Sequence, residues 1–179
     1  QLWKYDGISV IQIEMGQIEN PYPEHLTPFR DNLFFTVKDN DNRQLWRYDG
    51  LSVSRINVRL INNPYPWELT PVGNELFFTA LDEKGNRQLW VFDGFTSREI
   101  TIGEFSRPGK LIRVGSDLLF DAQDNKGYTK LFKYDGKTKT IIQINGESKQ
   151  INYPQDFIST LDVLFFTSDQ GNKLWKYEN

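Results

Sequence analysis

Apolar residues in this chain fall in short runs separated by turn residues, and no stretch keeps the 3.6-residue period of a helix. Residues 68 to 102 show the pattern in one unit. A half-apolar run from Glu68 to Val72 meets the tight-turn pair Gly73-Asn74, and an almost wholly apolar run follows from Glu75 to Ala80. After a polar loop comes Arg87 to Phe92, which ends at Asp93-Gly94, a dipeptide suited to turns that need positive φ; a last run covers Arg98 to Ile102. We label these predicted strands a to d. Strand b, apolar nearly throughout, is expected to be covered on both faces, while strand c puts its aromatics on one face and Leu with Lys, Arg or Val on the other.

The unit repeats. Gln1-Leu2-Trp3-Lys4-Tyr5-Asp6-Gly7 returns at Gln44 to Gly50, Gln88 to Gly94, Lys130 to Gly136 and, with a changed end, Lys173 to Asn179. The aromatic of this motif recurs at Trp3, Trp46, Trp90, Phe132 and Trp175, a period of about 43 residues. A second motif keeps the same beat at Leu33-Phe34-Phe35-Thr36, Leu76 to Thr79, Leu118 to Asp121 and Leu164 to Thr167. Four strands in a period of about 43 leave no room for a helix, so the expected fold class is all-β: a β-propeller of four-stranded blades. The expected division is strands c and d over residues 1–14, blades at about 24–60, 68–102 and 110–145, and strands a to c over 156–178. A closed four-bladed ring would use Ser9 to Glu14 as the last blade's fourth strand and leave residues 1 to 6 without a place. The reading favoured instead is a segment of a larger ring, which fits a start without Met and a stop where earlier copies turn. Exposed blade edges then predict self-association with another copy or chain.

The order of features is similar to that of kelch blades. Leu-Trp-x-x-Asp-Gly after a Leu-Phe-Phe strand more specifically resembles the bacterial propeller repeats written E-L-W-x-x-D-G-T, and the likeness covers essentially the whole chain. Gln or Lys stands in place of the Glu, and the closing Gly-Thr pair is not reproduced. The resemblance implies a propeller and an extracellular or cell-surface location in a large bacterial protein. It implies no activity, because that family has no catalytic motif to match here.

Composition narrows the partners. The formal charge of −3, from 21 Lys and Arg against 24 Asp and Glu, offers no basic field for phosphate backbones, so nucleic acid is not an expected partner. No run of about 18 apolar residues and no charged n-region followed by an apolar h-region is present, so neither a membrane span nor an intact signal peptide is expected. With no Cys, disulfides, thiol catalysis and thiolate metal sites are excluded, and no cofactor is expected.

Candidate binding residues cluster by strand direction. In four antiparallel strands, the b to c hairpins and the d to a connectors emerge at the same end. The connectors carry Tyr22, Tyr65, Trp67 and Tyr153 beside prolines. These aromatics either pack over blade edges or present flat apolar bodies with polar tips to a peptide or sugar. The hairpins carry Asp39, Asp41 and Asp82; turn chemistry is the plain reading, and calcium would need six to eight oxygens at one point, a question left open. The hairpin with Thr167, Asp169, Gly171 and Trp175 bears a faint resemblance to an Asp-box, a structural motif. His25, the single His, stands beside Glu24 without the partners a metal site or a base would need. The Asp at 6, 49, 93 and 135 recurs after every strand c, and a catalytic residue has no reason to recur in every blade. The expected function is therefore a non-enzymatic binding or protein-interaction module with a protein or glycan ligand. A lectin with one shallow site per blade, or a glycoside hydrolase or lyase using non-repeated acids near the axis, are the alternatives.

Overall fold

The computed structural model describes residues 1–16, 18, 21–39, 41–59, 61–103, 105–138, 140–144, 151–168 and 173–178, and of Asp39 the backbone alone. Among them every regular element is a strand. β1 (Leu2–Tyr5) and β2 (Val10–Ile13) form a two-stranded sheet. Three four-stranded blades follow. The first is β3 (Tyr22–Phe29), β4 (Asn32–Asp39), β5 (Asn42–Tyr48) and β6 (Val53–Ile56). The second is β7 (Trp67–Val72), β8 (Glu75–Leu81), β9 (Arg87–Phe92) and β10 (Ser97–Ile100). The third is β11 (Ser106–Val114), β12 (Asp117–Gln123), β13 (Thr129–Tyr134) and β14 (Ile141–Ile144). A three-stranded sheet of β15 (Gln155–Ser159), β16 (Val163–Ser168) and β17 (Lys173–Glu178) ends the described chain. Pairing is antiparallel in sequence order throughout. The first strands β3, β7, β11 and β15 touch one another in series, so strand a is innermost and strand d outermost.

The closed four-bladed arrangement does not form: β2 pairs with β1, not with β17. The hairpin between β1 and β2 is short, so its closure costs little entropy compared with a pairing across the whole chain.

The repeated Asp-Gly is a turn device. One carboxylate oxygen of Asp6, Asp49, Asp93 and Asp135 accepts hydrogen bonds from the backbone N–H groups two and three residues on, at 2.8 to 3.0 Å. The following glycines at 7, 50 and 94 hold φ of 97°, 96° and 106°, which a β-carbon resists. Those N–H bonds, chiefly from Ser9, Ser52, Thr96 and Thr138, hold all four carboxyls below the usual Asp value.

The cores lie between blades. In β8, Leu76, Phe78 and Ala80 face the first blade while Phe77 faces the third, as a period of two requires. The strand c aromatic faces the preceding blade. Trp90 and Phe132, with complete blades in front of them, are each 1% exposed. Trp46 meets only the two-stranded sheet and Trp175 sits on a sheet without a fourth strand, and both are half-buried. The shared motif predicts that all five aromatics lie mostly buried between adjacent sheets; Trp3 is instead 53% exposed, with no second sheet of the described residues packed over it.

Candidate functional site

The end of the blades carrying the connectors and b to c hairpins has a feature absent from the other end. Each innermost strand contains a register shift, and at one shared position within it a non-glycine residue is left-handed: His25 (φ 55°), Glu68 (55°), Lys110 (48°) and Asp156 (51°); β11 has a second shift, with Arg107 left-handed at 52°. Such backbone costs about 1 to 3 kcal/mol per residue and persists only where the surroundings over-determine it. The four occupy the same repeat position, yet they are an imidazole, a carboxylate, an ammonium and a second carboxylate. A constant backbone thus displays a varied set of charges.

Around His25, the structure gathers residues from four strands and a connector. Arg43, 4% exposed, donates to Thr36 Oγ1 at 2.9 Å, forms an ion pair with Glu24, and lies over the rings of Tyr65 (5.2 Å) and Trp67 (4.9 Å). The His25 ring stacks on Trp67 at a tilt, with centroids 4.1 Å apart. His25 Nδ1 lies 3.0 Å from Thr36 Oγ1 and 3.3 Å from Arg43 Nη1. Arg43 has only donors to offer, so Nδ1 accepts and the ring proton sits on Nε2. Burial, then the Arg43 charge, pushes the His25 pKa below its ordinary value, which keeps the imidazole neutral.

The next blade repeats the frame with other chemistry. Arg87 donates to Thr79 Oγ1 (3.0 Å) and to the Tyr65 carbonyl (3.3 Å). Glu68 accepts from the Lys110 N–H at 2.7 Å. Lys110 Nζ pairs with Asp121 at 3.2 Å and donates to the Pro154 carbonyl at 2.8 Å, so it ties the third blade to the last sheet. Gly109 makes room: a β-carbon there would stand 3.2 Å from Asp121 Oδ1 and 3.8 Å from Glu68 Oε2. Burial raises the pKa of both carboxyls above their ordinary values, with Lys110 partly offsetting this at Asp121. In the last sheet, Thr167 donates to Asp156 at 2.7 Å.

Of the residues singled out by sequence, His25, Tyr65 and Trp67 come together around Arg43. Trp67 remains 39% exposed. Tyr22 is on β3 opposite Lys38 and exposed, outside that group. Tyr153 packs edge-on against Tyr128, with centroids 6.1 Å apart, at the end of the third blade. The Asp41 carbonyl accepts from Asn63, which pins the connector to the hairpin. Asp82 is engaged in its own turn: the N–H groups of Lys84 and Asn86 donate to it at 2.8 Å, and Asp124 is held in the same way. The Asp39 side chain and the hairpin at 169–172 lie outside the described residues. Among the described residues, no group of three His, Asp or Glu is placed to hold a metal. Sequence reasoning missed Arg43, Glu68, Lys110 and Asp121. For Glu68 and Lys110 the signal was one position of a steady repeat, reading His25, Glu68, Lys110 and Asp156 in turn; Arg43 and Asp121 stand at other repeat positions.

In its fold, this chain is similar to two solved structures. A putative TolB from Agrobacterium tumefaciens superposes with a TM-score of 0.53 at 12% identity, over 82% of this chain and 60% of that one. TolB from Acinetobacter baumannii superposes with a TM-score of 0.52 at 16% identity, over 89% of this chain and 43% of that one. The fold is a β-propeller. The chain thus spans less than two thirds of the length of these propellers. No family model and no curated protein matches the sequence. No helix among the described residues is long and apolar enough to cross a membrane.

Proposed function

We propose that this propeller is a non-enzymatic interaction module, part of a bacterial extracellular or cell-surface protein, that engages a protein partner through its connector end. The observation that supports this reading is the series His25, Glu68, Lys110 and Asp156: one strained backbone position, repeated across four innermost strands, that carries an imidazole, an ammonium and two carboxylates. A structural residue repeats with its backbone, as Asp6, Asp49, Asp93 and Asp135 do in the turns at the other end. Side chains that vary on a fixed frame suit recognition of a specific surface, and loops on a rigid β scaffold are where binding residues collect. Trp67, exposed and stacked on His25, supplies an aromatic anchor beside these charges. The extracellular placement rests on the resemblance to E-L-W-x-x-D-G-T repeats.

A displayed-peptide library selected on the whole chain tests the reading. Peptides recovered on the native protein should lose about tenfold or more in affinity on a Glu68→Asn, Lys110→Asn double variant, in which Asn tolerates the left-handed backbone. Peptides that bind both proteins equally would remove the connector end as the site. Turnover in a panel of glycosides and esters, abolished by Glu68→Asn alone, would replace the module with an enzyme.

A further inference from the structure

The blade interfaces carry a second repeated feature, nearer the outer strands. Three cavities share the same four positions: the strand c aromatic, the residue opposite it on strand d, the left-handed residue after the preceding strand d, and the residue two further on. They are Trp46, Arg55, Gly16 and Ile18 in the first; Trp90, Glu99, Arg59 and Ile61 in the second; Phe132, Gln143, Gly103 and Phe105 in the third. Register confirms the equivalence, since Trp46 pairs with Arg55, Trp90 with Glu99 and Phe132 with Gln143. The backbone does so as well, with φ of 70°, 44° and 69° at Gly16, Arg59 and Gly103. The cavity volumes are about 500, 350 and 530 Å³, within the span of small-ligand sites.

The three differ in what they offer. Trp90 and Phe132 are 1% exposed and are used up as core. Trp46 faces only the two-stranded sheet and keeps part of its indole open in a cavity whose other walls are Met15, Ile18, Val37 and Val53. The rim of this cavity is Asn42, Gln44 and Asn62 with Arg55, and among the described residues that line it there is no carboxylate. The second cavity is instead lined by Asp82, Glu83 and Glu99 together with Arg59 and Lys84.

We propose that the Trp46 cavity is a binding site for a neutral pyranose sugar. An indole accepts the apolar C–H face of such a ring, and side-chain amides, which donate and accept from one planar group, match adjacent hydroxyls. Arg55 adds further donors. The described lining is an indole, aliphatic side chains and amides with one guanidinium, a set that matches hydroxyls on an apolar ring. The site is independent of the His25 to Asp156 series at the innermost strands, and neither reading depends on the other.

A glycan array, followed by tryptophan-fluorescence titration with the methyl pyranoside of the best hit, tests this on the whole chain. Binding should fall about tenfold in Asn42→Ala, Arg55→Ala, two exposed positions whose loss leaves the melting temperature unchanged, because two hydrogen bonds disappear. Trp46→Phe should keep the platform and bind within about threefold. No neutral saccharide bound at millimolar concentration would overturn the proposal. So would saccharide binding that survives Asn42→Ala, Arg55→Ala, or that is abolished by Trp67→Ala at the connector end.

Discussion

The interface between the second and third blades and the sheet of β1 and β2 are built from the same repeat, yet one is a core and the other a surface. Phe132 is enclosed by Val91, Ile100 and Phe120, with Phe105 at its side at a centroid distance of 4.3 Å. Trp3, at the same repeat position, is exposed, as are Tyr5, Val10 and Ile11 beside it. Identical local chemistry therefore gives different stability according to whether a sheet stands in front of it. Each blade face is a half-core, completed only by its neighbour.

The largest expected effect separates the two regions directly. Phe132→Ala should cost about 3 to 5 kcal/mol, since it opens a cavity that complete blades on both sides cannot collapse. Trp3→Ala should cost about 1 kcal/mol or less, as at other largely exposed sites. Urea denaturation of both variants checks the contrast, and equal losses would show that the first sheet is as closely packed as the centre.

A smaller change sharpens the comparison within the buried class. The Trp175 indole donates to Ser168 Oγ at 2.6 Å, whereas the Trp90 indole nitrogen is buried and has no partner among the described residues. Ala80 occupies the position of Ser168, two residues beyond the Phe that faces the Trp in each sheet. Ala80→Ser should therefore supply the missing acceptor and raise stability by about 0.5 to 1.5 kcal/mol. A lower melting temperature would mean that the core around Trp90 has no room for one more oxygen.

The smallest effect is a pH dependence at the second and third blades. Burial raises Glu68 above its ordinary 4.5, so the folded chain holds a proton that the unfolded chain has released. Its contribution is thus favourable at low pH and is lost as pH rises from about the ordinary carboxylate value through the raised one. Asp121 follows the same sign from 3.8. The turn aspartates run the other way: their stabilisation is complete above the ordinary value and fades as pH falls through the lowered one. Glu68→Gln, which keeps an acceptor for the Lys110 N–H, should gain on the native protein in melting temperature as pH rises from 4 to 7. A constant difference across that range would show that Glu68 is not held against its charge.

The strands were legible because their cues are local. Glu75 to Ala80 reads as a covered strand from its composition, and β8 spans Glu75–Leu81. The Asp-Gly turns were legible for the same reason: an Asx turn closes within three residues. Arg43 was not legible as the hub beside His25, because its partners Glu24, Thr36, Tyr65 and Trp67 meet only after a blade has folded and its connector has crossed to the next. The fates of Trp3, Trp46 and Trp90 were equally hidden, since the three share one motif.

The sequence by itself determined the period, the four-stranded unit and the devices that end each strand, because hydrophobic alternation and turn chemistry act over a few residues. Tertiary structure alone decided which aromatics are buried, that four different charged or polar side chains share one strained inner position, and that Trp46 is left open beside a cavity. Those outcomes depend on what stands across an interface, and the energy of burying a side chain belongs to the pair of sheets that encloses it.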